Sequence, residues 1–130
     1  YDSLAFSKFN NKFLNHNYIG AQWPNHIQQI KGIFNGNGGT SLRKVEIMKK
    51  ITKKYNYIIQ NEFQTPEDKY FSKYLFREKL LKNDPNICDE FSFENKYSDT
   101  SIYGHAIYEC INLDKLENYI YNRLRKLLFL

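Results

Sequence analysis

Apolar residues recur along this chain at spacings near three and four, and the breaks between those runs are rich in Asn, Gly and Pro. The first run, from Ser3 to about Asn15, sets Leu4, Phe6, Phe9, Phe13 and Leu14 near one helix face, with Asp2 or Ser3 as the cap. Gly20 breaks it. A second helix is predicted from Trp23 and Pro24, with proline in the first turn and Ile27, Ile30, Ile33 and Phe34 on one side. It ends in Asn35, Gly36, Asn37, Gly38 and Gly39.

The third run carries the clearest period. With Thr40 or Ser41 as N-cap, Leu42, Val45, Met48, Ile51, Tyr55, Ile58, Ile59 and Phe63 fall within one broad arc. Arg43, Lys49, Lys50, Lys53 and Lys54 lie mainly opposite, so the spacing predicts an amphipathic core helix with a basic outer face. Thr65, Pro66, Glu67 and Asp68 then read as an N-cap, a first-turn proline and a capping-box acid. The helix they start is predicted from Pro66 to about Lys82. Its stripe is Tyr70, Phe71, Tyr74, Leu75 and Leu81, while Phe76 and Leu80 point elsewhere, and Asn83, Asp84 and Pro85 end it.

Residues 86–112 admit two readings. Tyr103, Ala106, Ile107 and Cys110 have helical spacing after Asp99, Thr100 or Ser101, and period and length favour this helix. The alternative is a hairpin turning near Asp99, in which Cys88 opposes Cys110, Phe91 opposes Ile107 and Phe93 opposes His105, with the thiols within disulfide reach. A final helix starts at Asp114. Its stripe is Leu116, Ile120, Leu124, Leu127 and Leu128, with Arg123, Arg125 and Lys126 near its C-terminal dipole. The expected fold is therefore mostly α: a single domain, residues 1–130, of five or six short helices, with the small β-hairpin in 86–112 as the alternative.

Composition narrows the chemistry more than it names it. Lys, Asn, Ile, Tyr and Phe make up 64 of the 130 residues, against 4 Arg, 3 Ala and 1 Val, and those five share A- and T-rich codons. An AT-rich genome accounts for the bias. The net charge of +5 follows partly from the same source, because 15 Lys stand against 4 Arg, the residue better suited to bidentate phosphate contact. It permits an acidic partner without indicating one. No apolar run approaches the roughly 18 residues of a membrane span, so no transmembrane segment is expected. Cys88 and Cys110 lack ligand spacing with His16, His26 or His105, and neither a metal site nor a cofactor is expected. The chain begins at Tyr1, which points to a processed product or an excised domain and leaves localisation unread.

Four groups of residues carry candidate chemistry. Gly38, Gly39 and Thr40, followed by Arg43 and Lys44, resemble an anion cradle at a helix start, with Lys50, Lys53 and Lys54 extending a basic face. An ordinary linker is the simpler reading. The P-loop order of Gly, Lys and Ser or Thr is absent, and although Ile33–Thr40 is similar to the glycine-rich loop of Fic-type nucleotidyl transferases, the histidine and arginine of that motif are missing. Trp23, Tyr57, Phe76 and Leu80 are the candidate protein-docking residues. Asp89, Glu94 and Lys96 have the loose form of a nuclease triplet. His105, near Tyr103, Glu109 and Cys110, reads first as a structural histidine.

These observations predict no catalytic residue and no small-molecule substrate. They predict a non-catalytic helical interaction module, or a subunit of a larger assembly, that binds a protein or other macromolecule through aromatic and basic helix faces. The alternative is an RNA-associated protein of ribosomal or organellar type, contacting phosphates through the glycine loop and the basic helix 41–63. An enzyme built on His105 or on Glu94 and Lys96 requires a pocket joining one of them to a second titratable group.

Overall fold

A computed structural model describes residues 3–25, 32–56, 65–94, 96–107 and 112–128. In chain order it shows β1 (Ser3–Ala5), a 3-10 turn (Asn11–Asn15), β2 (Tyr18–Gln22), β3 (Asn35–Arg43), α1 (Val45–Lys54), α2 (Glu67–Arg77), α3 (Pro85–Phe91), β4 (Ser92–Phe93), β5 (Tyr103–His105) and α4 (Leu113–Leu128). The strands form two sheets, one ordered β1-β5-β4 and one made of β2 and β3. The fold is mixed α/β, with four α-helices among the described residues, and this corrects the expected mostly helical bundle of five or six.

The corrections have local causes. In the first run, Phe6 and Phe13 are buried in different apolar clusters, one with Phe93 and Ile107, the other with Ile19, Phe91 and Ile102. A single helix face cannot serve two clusters in different directions. The segment instead extends as β1, antiparallel to β5, and then turns at Asn10, whose side chain accepts from the Lys12 amide at 3.0 Å. Leu4, Phe9 and Leu14, the rest of the predicted stripe, are exposed.

The Asn- and Gly-rich run is β3 rather than a linker before a helix. Asn and Gly are poor helix residues, and here the side chain of Asn35 completes the hairpin. Fully buried, Asn35 donates from Nδ2 to the carbonyls of Tyr18 (2.9 Å) and Lys82 (3.0 Å), and its Oδ1 accepts from the Gly20 amide (3.0 Å). The helix predicted from 41 begins only at Val45. Its apolar residues Met48 and Ile51 pack with Tyr55, Tyr70, Tyr74 and Leu75 of the neighbouring segments against Tyr18 and Trp23 on the β2–β3 hairpin. Burying these aromatics supplies the main driving force for joining helices to hairpin.

Residues 86–107 follow neither predicted form. Asp84 caps α3 by accepting from the Asn86 amide at 2.9 Å, with Pro85 in the first turn. The chain then enters β4, which runs parallel to β5 with Ser92 beside Tyr103 and Phe93 beside Gly104, so the antiparallel hairpin register does not form. Cys88 is a buried free cysteine on α3, while Cys110 lies outside the described residues. The second predicted helix falls largely outside them too, as do Ile58, Ile59 and Phe63 of the third. The helix predicted from Pro66 to about Lys82 forms over Glu67–Arg77, and the one predicted from Asp114 forms over Leu113–Leu128.

Candidate functional site

The ladder between β2 and β3 sets the geometry of the site. Tyr18, Ile19 and Gly20 face Arg43, Leu42 and Ser41, but Ala21 faces Asn37. Gly38, Gly39 and Thr40 therefore stand out of the ladder as a bulge, a device that re-aims backbone and side chains and recurs beside active sites.

The two glycines of the bulge allow side chains to press onto it. A Cβ on Gly38 would lie 2.7 Å from the Asp68 Cβ, and one on Gly39 would lie 2.1 Å from His105 Nδ1. The Gly38 amide donates to Asp68 Oδ2 at 3.1 Å. That amide is thus committed to a carboxylate on α2. On the other glycine, the His105 ring carries the contact onward, with Nδ1 2.9 Å from Glu94 Oε2, an ion pair when the imidazole is protonated.

Glu94 opens onto a cleft of about 300 Å³ lined by Gln22, Trp23, Pro24, Asn25, Asp89, Ser92, Phe93, Glu94 and Lys96. Gln22 holds the wall in place: its Nε2 donates to Asp89 Oδ1 at 2.6 Å and to the Pro85 carbonyl at 3.1 Å. Trp23 is nearly buried, and its indole Nε1 comes close to Gly36 of β3. Ser92 is fully buried, and among the described residues its Oγ has no hydrogen-bond partner. A buried hydroxyl left without a partner costs about 1–3 kcal/mol relative to one that is bonded.

Arg43, at the far end of β3, serves a structural cluster. It donates to Glu67 Oε1 (3.0 Å), to the Tyr18 hydroxyl (3.2 Å) and to Ser41 Oγ (3.0 Å), and it lies over the Tyr18 ring at 4.8 Å. The hydrogen bond from Arg43 holds the Glu67 carboxyl below the usual carboxylate range. Burial pushes the Tyr18 hydroxyl well above its ordinary value.

The structure separates some predicted site residues and joins others. Gly38, Gly39 and Thr40 sit in the bulge, and the helix start lies beyond them, after Lys44, which is the N-cap of α1. Lys44, Lys50, Lys53 and Lys54 are exposed, with Lys54 bonded to Glu78 at 2.6 Å. Of the docking residues, Trp23 is part of the core, Leu80 is packed against it, Phe76 is exposed on α2, and Tyr57 lies outside the described residues. Asp89, Glu94 and Lys96 line the same cleft, and His105 reaches it through Glu94.

Sequence reasoning passed over Ser92 and Gln22, and read Asp68 only as a capping-box acid, whereas its Oδ2 accepts from the Gly38 amide. Ser92 follows a helix end and pairs in a two-residue strand, so no periodic signal marks it. Among the described residues no three His, Cys, Asp or Glu side chains form a group that could hold a metal ion. No described helix is long and apolar enough to cross a membrane.

The class defined by this geometry is a mixed α/β fold with a bulged glycine-rich hairpin over a carboxylate-lined cleft. The chain belongs to the family described as "Protein of unknown function (DUF5672)", which matches residues 1–106. All residues of the bulge and the cleft lie inside that match, and α4 lies beyond it. No curated protein and no solved structure matches the chain.

Proposed function

We propose that this protein binds a small, hydroxyl-rich ligand of the carbohydrate class in the cleft between β2, α3 and β4. The observation that carries this reading is the convergence of Asp89, Glu94, Lys96, Gln22 and Ser92 beside Trp23 in about 300 Å³. Carboxylates accept hydrogen bonds from ligand hydroxyls, the lysine donates, and an indole offers an apolar wall to C–H groups. At about 300 Å³ the cleft lies at the lower end of the size range of small-molecule sites. Glu94, whose Oε2 lies 2.9 Å from His105 Nδ1, offers a carboxylate to accept a hydrogen bond from a bound hydroxyl. This departs from the sequence expectation of no small-molecule substrate, and it rests on the pocket that expectation lacked.

The test is a titration of the full chain with neutral monosaccharides, followed by two-dimensional NMR. Shifts confined to the Gln22–Trp23 and Asp89–Lys96 segments, lost in Glu94→Gln and Asp89→Asn, are the expected result. Shifts scattered over the surface, or none with any sugar, would overturn the reading.

A second reading keeps the macromolecular partner of the sequence analysis. It is supported by the exposure of Lys50 and Lys53 on α1 and of Lys44 at its N-cap, the opposite face of the helix being buried through Met48 and Ile51. An RNA backbone along this face gives an affinity that falls steeply with salt, with a shallower slope in Lys50→Glu/Lys53→Glu. Affinity independent of salt would remove it.

A further inference from the structure

We propose that the ligand of the cleft is a zwitterion, an amino sugar that also carries an acid group, with its ammonium held by Asp89 and its carboxylate by Lys96. Its place among the carbohydrates rests on the reading above; its two charges follow from those of the wall. Glu94 is already engaged, with Oε2 2.9 Å from His105 Nδ1. Asp89 and Lys96 line the same cleft, yet among the described residues neither forms an ion pair, with the other or with any third group. The half-buried Asp89 carboxylate uses one oxygen, Oδ1, which accepts from Gln22 Nε2 at 2.6 Å. Oδ2 has no hydrogen-bond partner among the described residues and is not closed off from solvent, so a ligand reaches it. The Lys96 side chain is exposed, and the residue bonds through its backbone amide to the Glu94 carbonyl at 2.8 Å.

The segments that carry these two charges are tied together. Asp89 lies on α3, and its backbone carbonyl accepts from the hydroxyls of Ser98 (3.4 Å) and Ser101, while the Ile102 amide donates to the Glu90 carbonyl at 3.0 Å. The loop that follows Lys96 is thus fastened to the helix turn that presents Asp89. A site ordered in advance spares its ligand the cost of ordering it. Trp23, Pro24 and Phe93 make the rest of the wall partly apolar. Beside such a wall water screens a charge less well than on open surface, so ion pairs formed there gain more than surface pairs do. A ligand with a positive charge alone meets the repulsion of Lys96, and one with a negative charge alone meets that of Asp89 and Glu94. A ligand that carries both signs in the matching order offsets both.

The experiment titrates the full chain by NMR with D-glucose, D-glucosamine, D-glucuronic acid and muramic acid, a sugar that carries both an amine and a carboxylate. L-Alanine serves as a zwitterion without sugar hydroxyls. At about pH 6 such amines are protonated and the carboxylates ionised. Muramic acid should bind at least about fivefold more tightly than glucose and more tightly than either singly charged sugar, with the margin shrinking at about 0.5 M salt. In Lys96→Gln, a change at an exposed side chain, muramic acid should bind no more tightly than glucosamine. Muramic acid that binds no better than its singly charged counterparts, or that keeps its margin in Lys96→Gln or in high salt, would overturn the zwitterion while leaving the carbohydrate reading standing. An equal loss of every sugar in Lys96→Gln would overturn it too. Binding of L-alanine at Asp89 and Lys96 with no sugar bound would overturn the carbohydrate reading and keep the pair of charges. If none of the five binds, both fall.

Discussion

The contact between Gly39 and His105 gives the sharpest quantitative expectation. In Gly39→Ala the new methyl would sit 2.1 Å from His105 Nδ1 and 2.5 Å from Cγ and Cε1, all well inside contact distance. The backbone that carries the ring is held in place. It belongs to β5, which is paired on both sides by β1 and β4, and its Nδ1 lies against Glu94. Either the bulge or the imidazole must move. Overpacking of this kind costs about 1–3 kcal/mol, and a midpoint of about 2 kcal/mol corresponds to a Tm lowered by roughly 7 °C for a chain of this size. Urea denaturation gives the free energy, and the chemical shifts of the His105 ring report whether the Glu94 contact survives. A variant with wild-type Tm and unchanged His105 ring shifts would refute the claim that the bulge and the cleft are mechanically joined. Gly38→Ala makes a useful companion, because its methyl would meet Asp68 Cβ at 2.7 Å and should perturb α2 rather than His105.

Three further expectations follow from buried groups. Phe93→Ala removes a ring stacked on Phe6 and packed against Tyr97, and should destabilise by about 3–5 kcal/mol in calorimetry or urea melts; a change below 1 kcal/mol, taking about that as noise, would show the second apolar cluster to be dispensable. His16 is buried near Lys82 and Lys44, and burial, followed by those charges, lowers its affinity for a proton below the ordinary 6.5. The unfolded chain therefore binds this proton more readily, so stability falls as pH drops below about 6.5 and levels off beneath the folded value; His16→Gln should flatten that part of the pH profile. Burial pushes the Cys88 thiol up to about 12, so in a Cys110→Ser background the native protein should react with a thiol reagent at pH 8 far more slowly than the unfolded chain; equal rates would contradict its burial.

What the sequence determined by itself was local. Pro66 with Glu67 and Asp68, and the amphipathic periods around Met48 and Leu116, marked three of the four described helices, because a first-turn proline and a 3.6-residue stripe are properties of short segments, whereas the predicted capping box at Thr65 does not form: Pro66 is the N-cap and no side chain caps it. The biased composition fixed the abundance of Tyr and Phe, and these rings fill much of the three apolar clusters. The strands were illegible for a physical reason. β1, β4 and β5 have two or three residues each, too few to show a period, and they exist only through pairing across distant parts of the chain. β3 is held by the Asn35 side chain and distorted by its bulge, so it shows no alternation. The site was legible only as ingredients. Glu94, Lys96, Asp89 and His105 could each be singled out, but the parallel pairing of β4 with β5 and the departure of Gly38–Thr40 from the ladder decide which of them meet. That decision belongs to long-range contacts, and no local pattern encodes it.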